Sequence, residues 1–338
     1  MNAAGAQRCA PTNGRPGDPP AEMRSCPRFG HPAARLRAHA ENRMANQGLR
    51  TSARPGSCTM DIMAEPSERS EPSPPPGNPY FSVQADWGIS KHFGGKSATI
   101  DLARMCGVGA GTRVLVVGCG IGVTACFFAE NCGAIVMGID ISPGMVERAR
   151  ERARRRRVDC LVEIREADAT SLPFNDETFD VVICESVNAF IRERGLAMRE
   201  YYRVLVPEGC LGINECAWLR EPPASLRRYI TRVMDAEFPT LPMGGWDEPV
   251  AGAGFDVIHI GARSTTLVRQ WREEVRQIDV RDFARAWGRL LFICPRDRVC
   301  RRFVLDTLRI PRSAFRFLSY FGYELCVGKK PVPPEQEE

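Results

Sequence analysis

The 338-residue sequence lacks several features that would assign it to a class at once. It has no uninterrupted apolar run near the ~18 residues of a membrane-spanning helix. It does not open with a charged segment, an apolar stretch and a small-residue cleavage site, so we expect a soluble, cytoplasmic protein. None of its 14 cysteines is arranged as C-x-x-C, and its 4 histidines are scattered, so no metal site is predicted.

Positive charge is concentrated at the start of the chain. Of the net charge of +5, residues 1–60 contribute nine arginines against three acidic residues, whereas residues 61–338 hold 37 basic and 38 acidic residues. A near-neutral body argues against a broad nucleic-acid footprint. The run "RARERARRRR" (148–157) is preceded by Glu147 and interrupted by Glu151, and it suits solvated arginines near a helix C-terminus. We therefore predict no nucleic-acid partner.

Residues 1–78 contain one phenylalanine and neither tryptophan nor tyrosine, and they are rich in Pro, Gly, Ser, Arg and Ala. Such a segment cannot bury enough apolar surface to offset its ordering entropy, so we predict a disordered extension. Two alternatives stay open. In the first alternative, the segment is an arginine-rich organelle-targeting peptide. In the second, the start codon is assigned too far upstream, and Met60 or Met63 is the first residue.

From residue 79 the sequence alternates between short β-branched runs and stretches with helical spacing. The predicted strands lie at 114–117, 134–140, 161–167, 179–186 and 210–217, within 246–262, and at 320–330. Strands alternating with helices predict an α/β fold, here a doubly wound, mostly parallel, seven-stranded Rossmann-like sheet. We assign residues 79–330 to this domain and residues 331–338 to a tail.

Two helix-like insertions interrupt the late part of the pattern. They cover residues 220–243 and 264–314. We expect them to form a helical lid over an acceptor pocket, with Trp271, Trp287 and Phe292 as apolar lining.

The stretch "VLVVGCGIGVTACFFAE" (114–130) places Gly118, Gly120 and Gly122 between a predicted strand and a predicted helix. Glycines there let the backbone approach a ligand that lies over the helix N-terminus. Val123 stands where the dinucleotide fingerprint G-x-G-x-x-G has its third glycine, so the spacing departs from that of dehydrogenases. A plain tight turn is the alternative.

Two acidic residues stand at the ends of the next two predicted strands. Asp140 lies eighteen residues after Gly122, where a carboxylate can accept hydrogen bonds from two vicinal ribose hydroxyls. Asp168, followed by Ala169, can accept from an adenine amino group while the neighbouring N–H donates to the ring. The alternative for Asp168 is a loop aspartate that caps a turn before "SLPF".

Together these motifs resemble the class I S-adenosylmethionine-dependent methyltransferases. "VLVVGCGIG" is similar to the family's first motif, "GIDISPGMVERAR" to its ribose-binding strand, "EADATSLPFNDETFDVVI" to its adenine-contact strand and acidic loop, and "YYRVLVPEGCLGINE" to its fifth strand. The resemblance covers residues 80–262 and is greatest to the small-molecule branch that includes quinone and sterol C-methyltransferases. The chain departs from the family in its Pro207-Glu208-Gly209 turn, usually Pro-Gly-Gly, and in the insertion between the last two strands.

The resemblance implies S-adenosylmethionine as the cofactor and a small-molecule acceptor, lipid-like or quinone-like. It implies cofactor contacts for Gly118, Cys119, Gly120 and Gly122 at the methionine part, Asp140 at the ribose, Ile141 packed on the adenine ring, and Asp168 with Ala169 at the adenine. A non-catalytic S-adenosylmethionine-binding module and a nicotinamide-dependent oxidoreductase are the alternatives.

Three residues are candidates for the chemistry itself. Glu185, in "CESVNAF", is a candidate catalytic base or contact of cofactor and substrate, with a buried carboxylate bonded to backbone amides as the alternative. Glu215 is a weaker candidate base, with an edge salt bridge as the alternative. His92 lies in "PYFSVQADWGISKHFGGKSA" (79–98), which resembles the family's N-terminal flap, and could orient a substrate oxygen. The alternative is that His92 is a packing residue in a helix docked on the sheet.

A peripheral contact with a membrane is one further alternative for the lid. The segment "SAFRFLSYFGY" (313–323) is aromatic and cationic, as in helices that lie on a bilayer surface. The sequence assigns neither the acceptor atom nor the oligomeric state.

Overall fold

The computed structural model describes residues 79–87, 92–234, 241–264, 270, 272, 280–309 and 319–332. The predicted N-terminal extension, most of the predicted tail and Trp271 lie outside the described residues.

Eight strands and nine α-helices are found in the described part of the chain. The first half comprises α1 (Pro79–Trp87), α2 (Gly95–Met105), β1 (Arg113–Val117), α3 (Val123–Cys132), β2 (Ile135–Asp140), α4 (Pro143–Arg156), β3 (Val162–Glu166) and β4 (Phe179–Glu185). The second half comprises α5 (Arg194–Val204), β5 (Leu205–Trp218), α6 (Ala224–Met234), β6 (Leu241–Pro242), α7 (Asp247–Gly252), β7 (Asp256–Ser264), α8 (Val280–Ile293), α9 (Arg298–Leu308) and β8 (Phe321–Lys329).

The strands form one sheet in the order β3-β2-β1-β4-β5-β8-β7, and β6 pairs separately with β5. Strands β1 to β5 are parallel, while β8 runs antiparallel to both β5 and β7. The predicted doubly wound, mostly parallel α/β sheet is therefore confirmed, with the two-residue β6 as an addition. The strand order reverses at β1 and β4, and in such sheets ligands bind outside the carboxyl ends of the strands at this point.

The core lies on both faces of the sheet because β1 is apolar after Arg113. Val114 and Val116 pack into the cluster formed with α2, α3 and α4. Leu115 and Val117 point to the opposite cluster, which includes residues of α5 and α7. Alternation along a strand buried on both faces explains why "RVLVV" contains no polar residue after its first position.

Helix ends follow local sequence signals. Helix α3 ends at Gly133, whose left-handed conformation (φ 69°) lets its N–H bond to the carbonyl of Ala129. A proline after Ser142 predicts the start of a helix, because its fixed φ suits the first helical position, and α4 begins at Pro143. The Ser142 side chain makes no capping bond, and instead its backbone N–H donates to Asp140 Oδ1 at 3.0 Å.

Helix α1 lies over the turn that follows β1. Its Ala85 is buried against Ile121 of that turn and Met145 of α4. The Phe81 ring meets the Phe190 ring edge-on at 4.9 Å, beyond the end of β4. Helix α1, the first part of the segment 79–98, is therefore placed where a flap over the sheet edge would lie.

Helices α6, α8 and α9 carry the predicted lid insertions, and α1 contacts all three. None of the helices in the described ranges is long and apolar enough to cross a bilayer. The prediction that Phe292 lines a pocket is wrong, because its side chain is 62% exposed on the outer face of α8. Trp287 is partly exposed and meets the Trp87 ring edge-on at 6.0 Å, so it contacts α1.

Candidate active site

The turn between β1 and α3 depends on its three glycines. Gly118, Gly120 and Gly122 all have positive φ, at 59°, 53° and 78°. A Cβ on Gly118 would stand 2.3 Å from Cγ2 of Val187, and one on Gly122 would stand 3.0 Å from Cβ of Ala149. Larger residues are thus excluded by conformation and, at two positions, by packing. The glycine loop lies tightly between α4 and the turn that follows β4.

Asp140 ties the end of β2 to the glycine loop. Its Oδ2 accepts a hydrogen bond from the Gly120 N–H at 2.9 Å, and its Oδ1 accepts from the Ser142 N–H at 3.0 Å. Burial raises the pKa of this carboxyl, while the two backbone donors pull the pKa down. A carboxylate offers about four acceptor positions, so about two are left for hydroxyls of a ligand.

Asp168 lies beyond β3 in a tight turn. Its Oδ1 accepts hydrogen bonds from the N–H and the hydroxyl of Thr170, both at 2.8 Å. The turn-capping alternative is therefore present in the structure. Ala169 is buried and Ile141 is half-buried at the neighbouring strand end. Adenine contacts by Asp168, Ala169 and Ile141 stay a prediction.

Glu185, the last residue of β4, is surrounded by hydrogen-bond donors. Its side chain is 5% exposed. Thr124 donates its hydroxyl to Oε2 at 2.6 Å, Thr99 donates to Oε1 at 3.0 Å, and the amide of Asn214 reaches Oε1 at 3.5 Å. Nδ1 of His92 lies 3.6 Å from Oε1. The alternative of bonding to backbone amides is wrong for Glu185, since these partners are side chains.

Four elements bring this cluster together. Thr99 belongs to α2, Thr124 to the first turn of α3, and Asn214 to β5, where it is the register partner of Glu185. His92 precedes α2, and the amide of Asn214 also donates to the carbonyl of Phe93 at 2.8 Å. The structure thus unites the two candidates Glu185 and His92.

Sequence reasoning missed Thr99, Thr124 and Asn214. A polar Asn214 in the apolar strand "LGINECA" was a signal that could have been used. A hydroxyl two residues after Gly122, at Thr124, was another.

Glu215 follows Asn214 and points to the other face of β5. Its Oε1 accepts hydrogen bonds from the backbone N–H groups of Val187 at 2.8 Å and Asn188 at 2.6 Å. Burial raises the pKa of Glu215 to about 7, although the backbone donors and Arg194 pull it down. The edge salt bridge expected as the alternative is wrong, because the carboxylate is buried inside the sheet and bonds to backbone.

The turn that follows β4 is held rigidly beside the glycine loop. Ser186 adopts a left-handed conformation (φ 59°), and its N–H donates to the carbonyl of Asn214 at 2.7 Å. Asn188 is buried and accepts from the hydroxyl of Tyr201 at 3.1 Å. Through Val187, which packs on Gly118, Glu215 supports the glycine loop from beneath the sheet.

A cavity of about 470 Å³ opens at the carboxyl end of β5. Its lining residues are Trp218, Leu219, Arg220, Glu221, Arg227, Pro242 and Met243. The Trp218 and Phe321 rings lie 3.9 Å apart between centroids, and the Phe93 ring stacks on Phe321 at 6.0 Å. An aromatic column therefore connects the cavity to the segment that carries His92.

The sheet order, the glycine loop and the carboxylate at the end of β2 define a Rossmann-like methyltransferase architecture. Residues 115–213 match the family described as "Methyltransferase domain". The chain is 30% identical over 260 residues to the 27-O-demethylrifamycin SV methyltransferase of Amycolatopsis mediterranei, which covers 72% of this chain and 91% of that protein. The chain belongs to the S-adenosylmethionine-dependent methyltransferases.

Other relatives and solved structures share parts of this pattern. The phosphoethanolamine N-methyltransferase of Triticum aestivum is 27% identical over 186 residues, 55% of this chain, although the match spans only 36% of that protein's length. The [4+2]-cyclase SpnF superposes with a TM-score of 0.59 at 23% identity, covering 76% of this chain and 94% of that one. A methyltransferase from Geobacter sulfurreducens in complex with S-adenosylhomocysteine superposes with a TM-score of 0.57 at 21% identity. The match covers 75% of this chain and 98% of that one. These two structures show the fold alone.

The protein is thus an S-adenosylmethionine-dependent methyltransferase, and its cofactor is S-adenosylmethionine. This membership sets aside the two alternatives of an oxidoreductase and a non-catalytic module.

Proposed function

We propose that the protein transfers a methyl group from S-adenosylmethionine to a lipid-like or quinone-like acceptor bound at the carboxyl end of β5. The observation that carries this proposal is the position of Glu185, whose buried carboxylate lies between the glycine loop and the segment leading to the β5 cavity. S-adenosylmethionine supplies an electrophilic methyl group, so alignment and exclusion of water do much of the work.

The cofactor assignment follows the three strand ends. We assign the methionine part to the glycine loop at Gly118, Cys119, Gly120 and Gly122. Asp140 would bind the ribose hydroxyls with the acceptor positions that its two backbone donors leave open. The adenine would meet Ile141, Asp168 and Ala169, with Oδ1 of Asp168 already engaged in its turn. The glycine cradle and the placement of Asp140 fit this group.

Glu185 is suited to the cationic end of the cofactor. Among the described residues no arginine or lysine pairs with its carboxylate, and its close partners are two hydroxyls, an amide and His92. A buried negative charge without a strong cationic partner is costly unless a ligand supplies one. S-adenosylmethionine carries a sulfonium and an ammonium. We therefore favour a cofactor-holding role for Glu185 over a role as general base.

Calorimetry with Glu185→Gln separates the two roles. Loss of a charge-assisted hydrogen bond should raise the Kd for S-adenosylmethionine by about 10- to 100-fold. The matched control is Glu163→Gln, a surface carboxylate on β3 that pairs with Arg165, and it should leave this Kd unchanged. An unchanged Kd with collapsed turnover would instead assign Glu185 as the base. If neither quantity changes, both roles are rejected.

The acceptor class follows from the β5 cavity. Trp218, Leu219, Pro242 and Met243 give it apolar walls, while Arg220 and Arg227 stand at its exposed rim. Such a lining suits an apolar body with a polar or anionic group. Labelled methyl groups from S-adenosylmethionine should appear in the organic phase of a fractionated cell extract. Label confined to water-soluble amines would overturn this acceptor class and leave the methyltransferase assignment standing.

We further propose that residues 79–330 form the catalytic domain and that α1, α6, α8 and α9 close over its site. The support is the packing of Ala85 on Ile121 in the glycine loop, together with the contacts of α1 with the three lid helices. Limited proteolysis should cut the lid more slowly when S-adenosylmethionine is bound. An equal rate would contradict closure.

A further inference from the structure

The hairpin of α8 and α9 exposes several large apolar side chains. Leu291 is 72% and Phe292 62% exposed, and Val299 and Leu305 are also exposed on the same hairpin. Among their described side chains, the buried ones are Ala286 on α8 and Cys300 and Asp306 on α9, so the two helices pack inward through other faces. Apolar side chains exposed together on one hairpin mark an interaction surface.

The same hairpin is cationic. Residues 280–309 contain eight arginines and three aspartates, with no lysine or glutamate, although residues 61–338 as a whole are near neutral. Arg298, Arg302 and Arg309 are exposed and lie at three- to four-residue spacing along α9 with Leu305. The Arg296 guanidinium lies 4.0 Å from the centre of the exposed Phe292 ring.

The three aspartates offset only part of this charge. Asp306 is buried and pairs with two arginines, Arg302 at 3.6 Å and Arg309 at 3.7 Å. Asp297 caps α9, where its Oδ1 accepts a hydrogen bond from the Val299 N–H at 2.9 Å. The exposed surface therefore combines apolar side chains with an excess of guanidinium groups.

We propose that this lid face, formed by Leu291, Phe292, Val299, Leu305 and the arginines 296, 298, 302 and 309, docks on an anionic lipid bilayer. Apolar side chains enter the boundary between headgroups and acyl chains, and guanidinium groups pair with lipid phosphates. A second copy of the same face would repel it through like charge. Nucleic acid would accept the arginines but gains little from exposed leucine and phenylalanine.

Co-sedimentation of the full chain with vesicles tests the proposal. The chain should bind vesicles of phosphatidylcholine with phosphatidylglycerol, and should bind those of phosphatidylcholine alone much more weakly. Binding should weaken as salt is raised, because the electrostatic part is screened. Leu291→Ser with Phe292→Ser should weaken binding at least about 10-fold. Arg298→Gln with Arg302→Gln should weaken it about 5-fold per arginine.

Matched controls use exposed residues elsewhere. Ile258→Ser with Val332→Ser removes two exposed apolar side chains, and Arg104→Gln with Arg199→Gln removes two exposed arginines. Both control variants should bind vesicles like the unchanged chain. Circular dichroism confirms that each variant is folded.

Three results would overturn the docking surface. They are absence of binding to anionic vesicles, equal losses in lid and control variants, and binding to duplex DNA as tight as to vesicles. A concentration-dependent dimer that the lid variants abolish would assign the face to a second copy instead. Because the readout is lipid binding and not methyl transfer, failure here leaves the proposed acceptor class untouched.

Discussion

We expect Glu215→Gln to remove a cost of folding that grows with pH. The Glu215 carboxyl is buried beneath the turn that follows β4, and burial raises its pKa from 4.5 to about 7. One oxygen accepts the N–H groups of Val187 and Asn188, while Oε2 has no hydrogen-bond partner among the described residues. Ionisation therefore places a negative charge where only half of the carboxylate is satisfied.

The direction and size of this pH effect on the free energy of unfolding follow from the difference between the folded and unfolded pKa of Glu215. Between pH ~4.5 and ~7 the folded chain keeps a proton that the unfolded chain has lost, so the free energy of unfolding falls as pH rises. The gap between 4.5 and about 7 corresponds to about 3 kcal/mol, at 1.36 kcal/mol per pH unit. This cost is absent below the unfolded pKa and fully present above the folded pKa.

Glutamine keeps the acceptor for the two backbone N–H groups and cannot ionise. Its NH2 group replaces Oε2, which adds a constant penalty of about 1–3 kcal/mol that does not depend on pH. The difference in unfolding free energy between variant and unchanged chain should therefore move in favour of the variant by about 3 kcal/mol from pH ~4.5 to ~8. The penalty shifts this curve vertically without changing its slope.

Urea unfolding across this pH range measures the curve. Subtracting the unchanged chain cancels the other titrating groups and isolates Glu215. Arg194→Gln is the matched control, because this arginine lowers the Glu215 pKa and its loss should extend the sloping region to higher pH. A difference that stays constant with pH would refute the claim that Glu215 is protonated in the folded chain near neutrality.

Three other substitutions probe the glycine loop, the ribose contact and the Pro207-Glu208-Gly209 turn within β5. Gly118→Ala should weaken S-adenosylmethionine binding at least about 10-fold in calorimetry, and Val187→Ala should restore part of the loss, since the added Cβ would stand 2.3 Å from Val187 Cγ2. If Val187→Ala restores no affinity, the positive φ of Gly118 alone explains the weaker binding. Asp140→Asn should weaken S-adenosylmethionine and its demethylated product alike, by about 10-fold or more, because both carry the ribose; full affinity would contradict the ribose role. Glu208→Gly should raise the free energy of unfolding in urea by up to about 1 kcal/mol, because Glu208 has a strained φ of 67°. The surface ion pair that Glu208 makes with Lys329 is worth less than this strain. A lower free energy of unfolding would show that the ion pair dominates.

Much of the fold could be predicted from the sequence because the signals for its strands and helices are local. The strand expected at 134–140 is found at Ile135–Asp140, and the helix after Ser142 begins at Pro143 as its sequence indicates. The fifth strand was expected at 210–217 but begins at Leu205, which pairs with Phe179 before a register shift. The Pro207-Glu208-Gly209 turn hid this extension, since such residues usually end a strand.

The residues proposed to bind the cofactor could be predicted from the sequence for a related reason. Gly118, Gly120 and Asp140 follow adjacent parallel strands, so their chain positions bring them to the same sheet edge. The side chains around Glu185 could not be predicted in this way. Its hydroxyl donors stand 86 and 61 residues earlier in the chain, on two helices whose rotation about their axes sets which side chain faces β4.

The roles of Glu185 and Glu215 are separated by the register of a single strand pair. The sequence makes both residues candidate bases, Glu185 at the end of the fourth predicted strand and Glu215 within the fifth. In the sheet Asn214 is the register partner of Glu185, so those two side chains share one face. Side chains alternate along a strand, and Glu215 must therefore point to the other face, away from the glycine-loop helix. One residue of offset thus puts Glu185 beside the proposed cofactor site and makes Glu215 a support for the turn beneath it.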